Sequence, residues 1–367
     1  MKILFDHLAF NQVYGGVSRY FVELIKRLKA YDVDITLTVK FSNNHFIKSL
    51  KPGVKPFLAS TSFRGKPRIE RALGNLFTVA KTVFSGKPDI YHATHYSNYL
   101  KPFISSKTKV VTTIHDMNYW AVPEYYAATN YNKIRQEAQM KSCDQIIAVS
   151  DQTRKDIVQF FPELESKIAV IHHGIHDIED VDLGDSLKLP KDYIFFVGAR
   201  NPYKNFPKFL EAFTRLHKDN PSLHLVCAGK KFSPAEKALF EELAISNNIS
   251  QISANDSELR YLYRKARLFV FPSIYEGFGL PCVEAMSAEC PMALSDNSVF
   301  PEVCGEAANY FDPNSIDSMY EVIHKSLYDE QSRELLQKEM AERIKLFSWD
   351  ISARKHYEVY QKLMAND

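Results

Sequence analysis

Short, uninterrupted apolar runs alternate along this chain with longer segments of helical period, and that alternation limits the possible folds more than any other feature. The runs at Lys2–Phe5, Ile35–Val39, Ile90–His92, Val110–Ile114, Gln145–Val149 and Lys167–Ile171 predict strands. They are continuous rather than every-other-residue apolar, as parallel strands covered on both faces require. Helical spacing fills the gaps at Ser18–Leu28, Arg68–Phe84, Tyr131–Lys141 and Asp151–Phe160. A repeated strand–helix order predicts a doubly wound α/β domain.

The pattern breaks over Asp177–Pro190, which is acidic, contains Gly and Pro and lacks an apolar period, and so reads as a linker. A second series follows, with strands expected at Tyr193–Val197, His224–Ala228 and Leu268–Phe271 and helices at Asn205–Lys218, Pro234–Ser246, Glu258–Ala266 and Pro281–Ala288. Two Rossmann-like halves with a cleft between them suit a chain of 367 residues. The last helical segment, Trp349–Met364, has no strand after it, and periodicity alone assigns it to neither half.

Charge removes one class of partner and suggests another. Lys and Arg number 46 against 44 Asp and Glu, a net +2 that offers no whole-chain case for nucleic acid. The balance is uneven, however: Lys40 to Lys109 carries 13 cations against Glu70 and Asp89, whereas residues 185–367 sum to −4. Such a block is a solvated face or a docking surface for something anionic. Arg68–Phe84 adds Leu73, Leu76, Phe77, Val79, Ala80 and Phe84 at helical spacing, the composition of an interfacial helix or of a packed helix with a basic face. No run of 18 apolar residues occurs, the first ten residues do not read as a signal peptide, and five scattered cysteines form no C-x-x-C pair. Together these features predict reduced thiols and a cytoplasmic location.

Four strand ends carry the chemistry. In Pro272-Ser-Ile-Tyr-Glu-Gly-Phe-Gly-Leu-Pro-Cys-Val-Glu284 a strand runs into a glycine turn and a helix opened by Pro281. Free amides at such a turn bind phosphate or hydroxyls, and Glu276 and Glu284 flank it. Val197–Asn205 leaves the first strand of the second half, where open sheets bind ligands. Its Arg200 offers a bidentate fork and its Lys204 a point charge, a combination suited to a diphosphate. Gly15 and Gly16 open a helix after the first strand; they let a backbone approach a ligand, or simply make a tight turn, and do not spell G-x-G-x-x-G. His115 ends the strand of Thr113-Ile-His-Asp116.

Other spellings carry less. Asp32-Val-Asp34 and Asp180-Val-Asp182 read as solvated acids, and His172-His173 point to opposite faces of an extended chain. No H-E-x-x-H, cysteine cluster, P-loop or G-x-S-x-G is present, so there is no specific case for a metalloprotease, a nucleotide triphosphatase or a serine hydrolase, and no cofactor is expected.

These residues resemble the retaining glycosyltransferases of family 4. The resemblance runs through YGGVSRYF, TIHD, IIAVSDQTRKDI, VGARNPYKN, PSIYEGFGLPCVEAM, SDNSVFPEVCGEAANYFDP and the closing FSW, with EGFGLPxxE its most specific element. It implies the GT-B architecture: an acceptor domain over residues 1–180, a nucleotide-sugar domain over 181–348, and a final helix, 349–367, crossing back to the first. By the same resemblance Arg200 and Lys204 hold the donor diphosphate and stabilise the leaving group, and Glu276 bonds the donor sugar. Glu284 bonds the ribose, and the loop Gly277, Phe278, Gly279, Leu280 offers amides to sugar and phosphate. Gly15 and Gly16 lie near the β-phosphate and acceptor, and His115 lies against the transferred sugar. Two departures stand out: His173-Gly174 replaces the family's Asn-Gly, and Ala288-Glu289-Cys290-Pro291 its Cys-Gly-Thr-Pro.

The resemblance further implies metal-independent transfer with front-face retention, from GDP-mannose or a UDP-linked sugar, onto a glycan or a polyprenyl-diphosphate-linked glycan. A sugar-nucleotide epimerase or phosphorylase of the same fold and a non-enzymatic glycan-binding scaffold are the competing readings. If the basic Lys40–Lys109 block lies in the acceptor domain, it places that half against an anionic membrane, peripherally on the inner face of the plasma membrane.

Overall fold

The computed structural model describes residues 1–56, 65–84, 86–127, 129–175, 182–184 and 187–365. Most of the linker's acidic start, with Asp177 and Asp180, and the cation Arg64 lie outside the described residues. The chain divides into two compact units, Met1–Gly174 with Ser348–Asp367, and Ile175–Phe347. The first division falls six residues before the expected 180/181 boundary and the second one residue before 348/349.

The first unit contains β1 (Lys2–Phe5), α1 (Gly16–Leu28), β2 (Asp34–Leu37), α2 (Lys66–Phe84), β3 (Ile90–Ala93), β4 (Lys109–Ile114), α3 (Asn118–Ala121), α4 (Tyr131–Ser142), β5 (Gln145–Ala148), α5 (Asp151–Phe160) and β6 (Ile168–Val170). Its six strands are all parallel, in the order β2-β1-β3-β4-β5-β6. Every residue of β3 is buried, as its unbroken apolar run requires. On α1, Tyr20, Phe21, Leu24, Ile25 and Leu28 form one stripe and enter the same core as Ile3, Phe5 and Val111.

α2 packs the other way round. Its buried residues are Gly74, Thr78 and Thr82, while Ile69, Leu76, Val83 and Phe84 are 43%, 67%, 55% and 87% exposed. The inner contacts are polar: the Thr78 hydroxyl donates to Thr38 Oγ1 (2.8 Å) and lies 3.3 Å from His7 Nδ1. A Cβ on Gly74 would meet His7 Nε2 at 2.5 Å, so glycine lets this ring lie under the helix. Leu73, Phe77, Val79 and Ala80 are only half-buried. The helix thus presents its apolar face outward.

The second unit contains β7 (Tyr193–Val197), α6 (Phe206–Asp219), β8 (His224–Ala228), α7 (Pro234–Glu242), β9 (Ile249–Ile252), α8 (Asp256–Lys265), β10 (Leu268–Phe271), α9 (Leu280–Ser287), β11 (Met292–Ser295), α10 (Phe300–Cys304), β12 (Asn309–Phe311), α11 (Ile316–Tyr328) and α12 (Glu330–Arg343). All its strands are parallel, in the order β12-β11-β10-β7-β8-β9. Three of them were not foreseen. β9 and β12 are short, half-exposed edges, and Ala and Ser weaken the strand signal of β11 although all four of its residues are buried. α12 buries only Leu336 and Met340, too sparse a stripe to show in the sequence.

The last helix, α13 (Trp349–Ala365), belongs to the first unit. Trp349, Ser352, Ala353, His356 and Tyr360 form its buried face. A directional hydrogen-bond chain ties it in. His356 Nδ1–H donates to the Ser352 carbonyl (2.7 Å), which leaves Nε2 to accept from the Tyr20 hydroxyl (2.5 Å). Thr113 Oγ1 then donates to Tyr20 Oη (3.1 Å) and accepts from His92 Nε2–H (2.9 Å), and the Tyr360 hydroxyl donates to His92 Nδ1 (2.6 Å). A Cβ on Gly174 would stand 2.1 Å from the Trp349 backbone nitrogen, so this position must be glycine where α13 begins.

Candidate functional site

The second sheet reverses its winding between β7 and β10, and ligands of open α/β sheets bind at the carboxyl ends of strands flanking such a switch. Both expected donor loops leave the sheet there. After β7 the chain makes a single 3-10 turn, Pro202–Lys204, and Asn205 takes a left-handed backbone (φ 58°) that starts α6. The Asn205 side chain fixes the turn by donating to the Pro313 carbonyl (2.7 Å). After β10 the chain reaches Gly279 (φ 79°), whose left-handed conformation starts α9 without a side-chain cap. Pro281 has no N–H and the Cys282 amide already donates to the Gly279 carbonyl (2.8 Å), so the donor that the opening of α9 offers a ligand anion is the Leu280 amide. The Ile274 amide donates to the Tyr203 carbonyl (2.8 Å), which locks the two loops together.

This clasp brings Lys204 onto Glu276: the ammonium donates to the carboxylate, and both side chains are largely buried, 13% and 15% exposed. The Lys204 ammonium also lies 5.1 Å above the Phe271 ring. Glu276 is held through its backbone by Ser298, whose Oγ accepts the Glu276 N–H (3.2 Å) and donates to its carbonyl (2.9 Å). Ser298 is left-handed (φ 55°), a conformation nothing in its sequence neighbourhood signals.

Arg200 is placed differently. Its Nε donates to Glu236, its Nη2 donates to the carbonyls of Lys230 (2.8 Å) and Lys231 (3.2 Å), and Phe232 lies 4.9 Å beneath it. Its buried Nη1 has no hydrogen-bond partner among the described residues. Glu236 is the reciprocal residue of a capping box with Ser233 on α7, a local Ser-x-x-Glu motif that by itself carries no sign of the distant Arg200. Burial works to raise the Glu236 carboxyl, yet the hydrogen bonds from Arg200 and Ser233 hold it below the ordinary carboxylate range. The structure therefore joins Lys204 to Glu276 and ties Arg200 to Glu236.

Glu284 sits one turn into α9, its Oε2 accepting from the Tyr263 hydroxyl (3.3 Å). Gly277, Phe278 and Gly279 are buried, Leu280 is half-buried, and the Phe278 ring meets Phe347 edge-on at 5.8 Å.

In the first unit, Gly15 precedes α1 in an extended conformation and Gly16 is its first residue. The Ser18 hydroxyl donates to the Gly15 carbonyl (2.8 Å) and accepts from Asn44 Nδ2 (2.9 Å), which steadies the loop. His115 follows β4 and packs edge-on against Tyr20 at 4.9 Å. Burial lowers its pKa to about 3, so the ring is neutral at physiological pH, and its buried Nε2 has no partner among the described residues. His173 packs on His115, Tyr20 and Trp349.

Two family models account for most of the chain: Glycosyltransferase Family 4 over residues 14–178 and Glycosyl transferases group 1 over residues 184–343. The chain is a family 4, group 1 glycosyltransferase. It is similar along its length to O-antigen chain mannosyltransferase B of Escherichia coli, at 27% identity over 99% of this chain and 100% of that one. It is also similar to O-antigen chain mannosyltransferase RfbU of Salmonella typhimurium, at 25% identity over 84% and 86%. The fold of this glycosyltransferase is shared by sucrose-phosphate synthase from Thermosynechococcus elongatus, with a TM-score of 0.76 and 19% identity over 100% and 99% of the chains. It is shared too by Anabaena HepE, solved with UDP and glucose (TM-score 0.75, 16% identity, 99% and 100% covered). The two parallel sheets are thus those of the GT-B fold. Among its described residues the glycosyltransferase has no helix long and apolar enough to cross a membrane, and its five cysteines are buried free thiols.

Proposed function

We propose that this glycosyltransferase moves mannose from GDP-mannose to a glycan on a lipid-linked carrier during surface polysaccharide synthesis, with retention and without a metal ion. The observation that carries the proposal is the Lys204–Glu276 pair at the switch point beside the uncapped start of α9. Departure of a nucleoside diphosphate develops negative charge on phosphate. Lys204, the Leu280 amide at the start of α9 and Arg200 are cations and donors suited to that charge, and preorganised groups of this kind supply electrostatic stabilisation. Glu276, released from Lys204 by an incoming phosphate, would accept hydroxyl hydrogen bonds from the sugar, and Glu284 from the ribose. Neutral His115, with Nε2 unpartnered, suits a sugar hydroxyl and not an acid. The two mannosyltransferases that match end to end or nearly so support the choice of mannose.

The outward apolar face of α2 and the basic block around it support peripheral docking on the anionic inner face of the plasma membrane. The decisive experiment presents the full chain with a polyprenyl-diphosphate-linked glycan as acceptor and, in turn, GDP-mannose, UDP-glucose and UDP-N-acetylglucosamine in the presence of EDTA. The signals followed are thermal stabilisation and the anomeric configuration of the product. A shift of the melting temperature with GDP-mannose and an α-linked product are expected; a response confined to UDP-sugars, or an inverted product, overturns the assignment.

A further inference from the structure

The first unit has a switch point of its own, between β1 and β3, and a cavity of about 410 Å³ opens there. Asn11 from the loop after β1, His95 and Tyr99 from the loop after β3, Arg71 and Asn75 from α2 and Arg135 from α4 line it. None of these residues belongs to the donor machinery described above.

Their chemistry is uniform. Arg27, Arg154, Arg200, Arg215 and Arg267 each pair with a carboxylate, but Arg71 and Arg135 have no such partner among the described residues. Two guanidiniums that line one cavity from different helices, both exposed to solvent, are joined most favourably by an anion between them. The Tyr96 amide donates to His95 Nδ1 (2.8 Å), which leaves Nε2 to carry the proton and act as a neutral donor. Desolvation, with Arg71 and Arg135 adding to it against Asp6, lowers the pKa of His95 and keeps it in that form. Among the described residues the buried Nδ2 of Asn11 and Oδ1 of Asn75 have no hydrogen-bond partner, a cost that a ligand's polar atoms would remove. The nearby Asp6 carboxylate is already occupied by the Leu8 amide and the Tyr91 and Thr94 hydroxyls.

We propose that this cavity binds the phosphate or diphosphate group of the acceptor, with Arg71 and Arg135 clamping the anion and Asn11, Asn75 and His95 bonding the adjoining polar atoms. The proposal rests on the glycosyltransferase reading and adds the acceptor's anchoring group. α2 joins the two ends of such a molecule, since Arg71 faces the cavity while Leu76 and Val83 lie on the exposed apolar face. That arrangement favours an anion carried on a lipid over a free one.

Calorimetry on the full chain, with GDP and UDP both saturating to fill the nucleotide site, tests the proposal using decyl diphosphate and inorganic pyrophosphate as probes. Decyl diphosphate should bind the wild type, and Arg71→Gln and Arg135→Gln should each weaken it about ten-fold or more while melting normally. Binding of pyrophosphate as tight as that of the decyl compound would keep the anion site and assign it to free diphosphate. Unchanged decyl diphosphate affinity in both variants overturns the proposal. Nucleotide-sugar stabilisation, measured in the same variants, separates this failure from failure of the donor assignment, because neither arginine lies in the donor loops.

Discussion

Lys204 and Glu276 form a largely buried ion pair across 72 residues of sequence, each in the loop that leaves one of the two strands flanking the switch point of the second sheet. The pair neutralises itself in the free protein. A donor diphosphate and sugar offer each partner a new counterpart, so binding exchanges one set of charge-assisted bonds for another instead of burying bare charge.

Removing either member should therefore act on turnover and on donor binding together. Lys204→Ala is expected to lower kcat by about 100- to 1,000-fold, the range for loss of one preorganised donor at developing charge. Glu276→Gln, which keeps shape and hydrogen bonding, should lower it less than Glu276→Ala. Steady-state kinetics of the single and double variants checks this. Additive losses in Lys204→Ala/Glu276→Ala would show that the two residues act independently.

The histidines that seat α13 predict a stability profile. Burial lowers His356 to about 4 and His92 well below its ordinary value, and each ring already accepts a hydroxyl proton on one nitrogen. Folded-state pKa values below the unfolded value near 6.5 mean that the unfolded chain takes up protons first as pH falls. Stability should be complete above pH 6.5 and decline toward pH 4, by up to about 1.4 kcal/mol per pH unit for each ring. Denaturant titrations between pH 7.5 and 4.5 measure the slope, and His356→Gln should reduce it. An unchanged slope in that variant would remove His356 from the cause.

The apolar face of α2 predicts lipid dependence. Leu76 and Val83 lie one above the other on the exposed side, so Leu76→Glu and Val83→Glu change nothing buried and should leave melting unaltered. Sedimentation with anionic vesicles should capture the wild type and release the double variant, while neutral vesicles should capture less of either. Equal partitioning into anionic and neutral vesicles at low salt would refute the membrane reading, and concentration-dependent dimerisation abolished by the same variants would assign the face to a second copy.

Much of this was legible beforehand because it is local. Continuous apolar runs marked β1, β7, β8 and β10 to the residue, and glycine and proline in EGFGLP marked the turn into α9. The short strands β9, β11 and β12 escaped notice, since three or four residues carry too little period to separate strand from loop, and α12 did because its buried stripe is only Leu336 and Met340.

The sequence by itself determined two α/β units, the four strand-end loops and the family, because strand–helix alternation and turn chemistry are properties of neighbouring residues. Only the tertiary structure decided that β7 lies beside β10, that Lys204 meets Glu276 while Arg200 turns to Glu236, and that Ser298 props the Glu276 backbone. It alone showed α2 to be apolar outward and Arg71 and Arg135 to share a cavity with no carboxylate partner among the described residues. Strand order and side-chain pairing arise from contacts between segments dozens of residues apart, and no local pattern specifies which distant partner a buried charge or a helix face will meet.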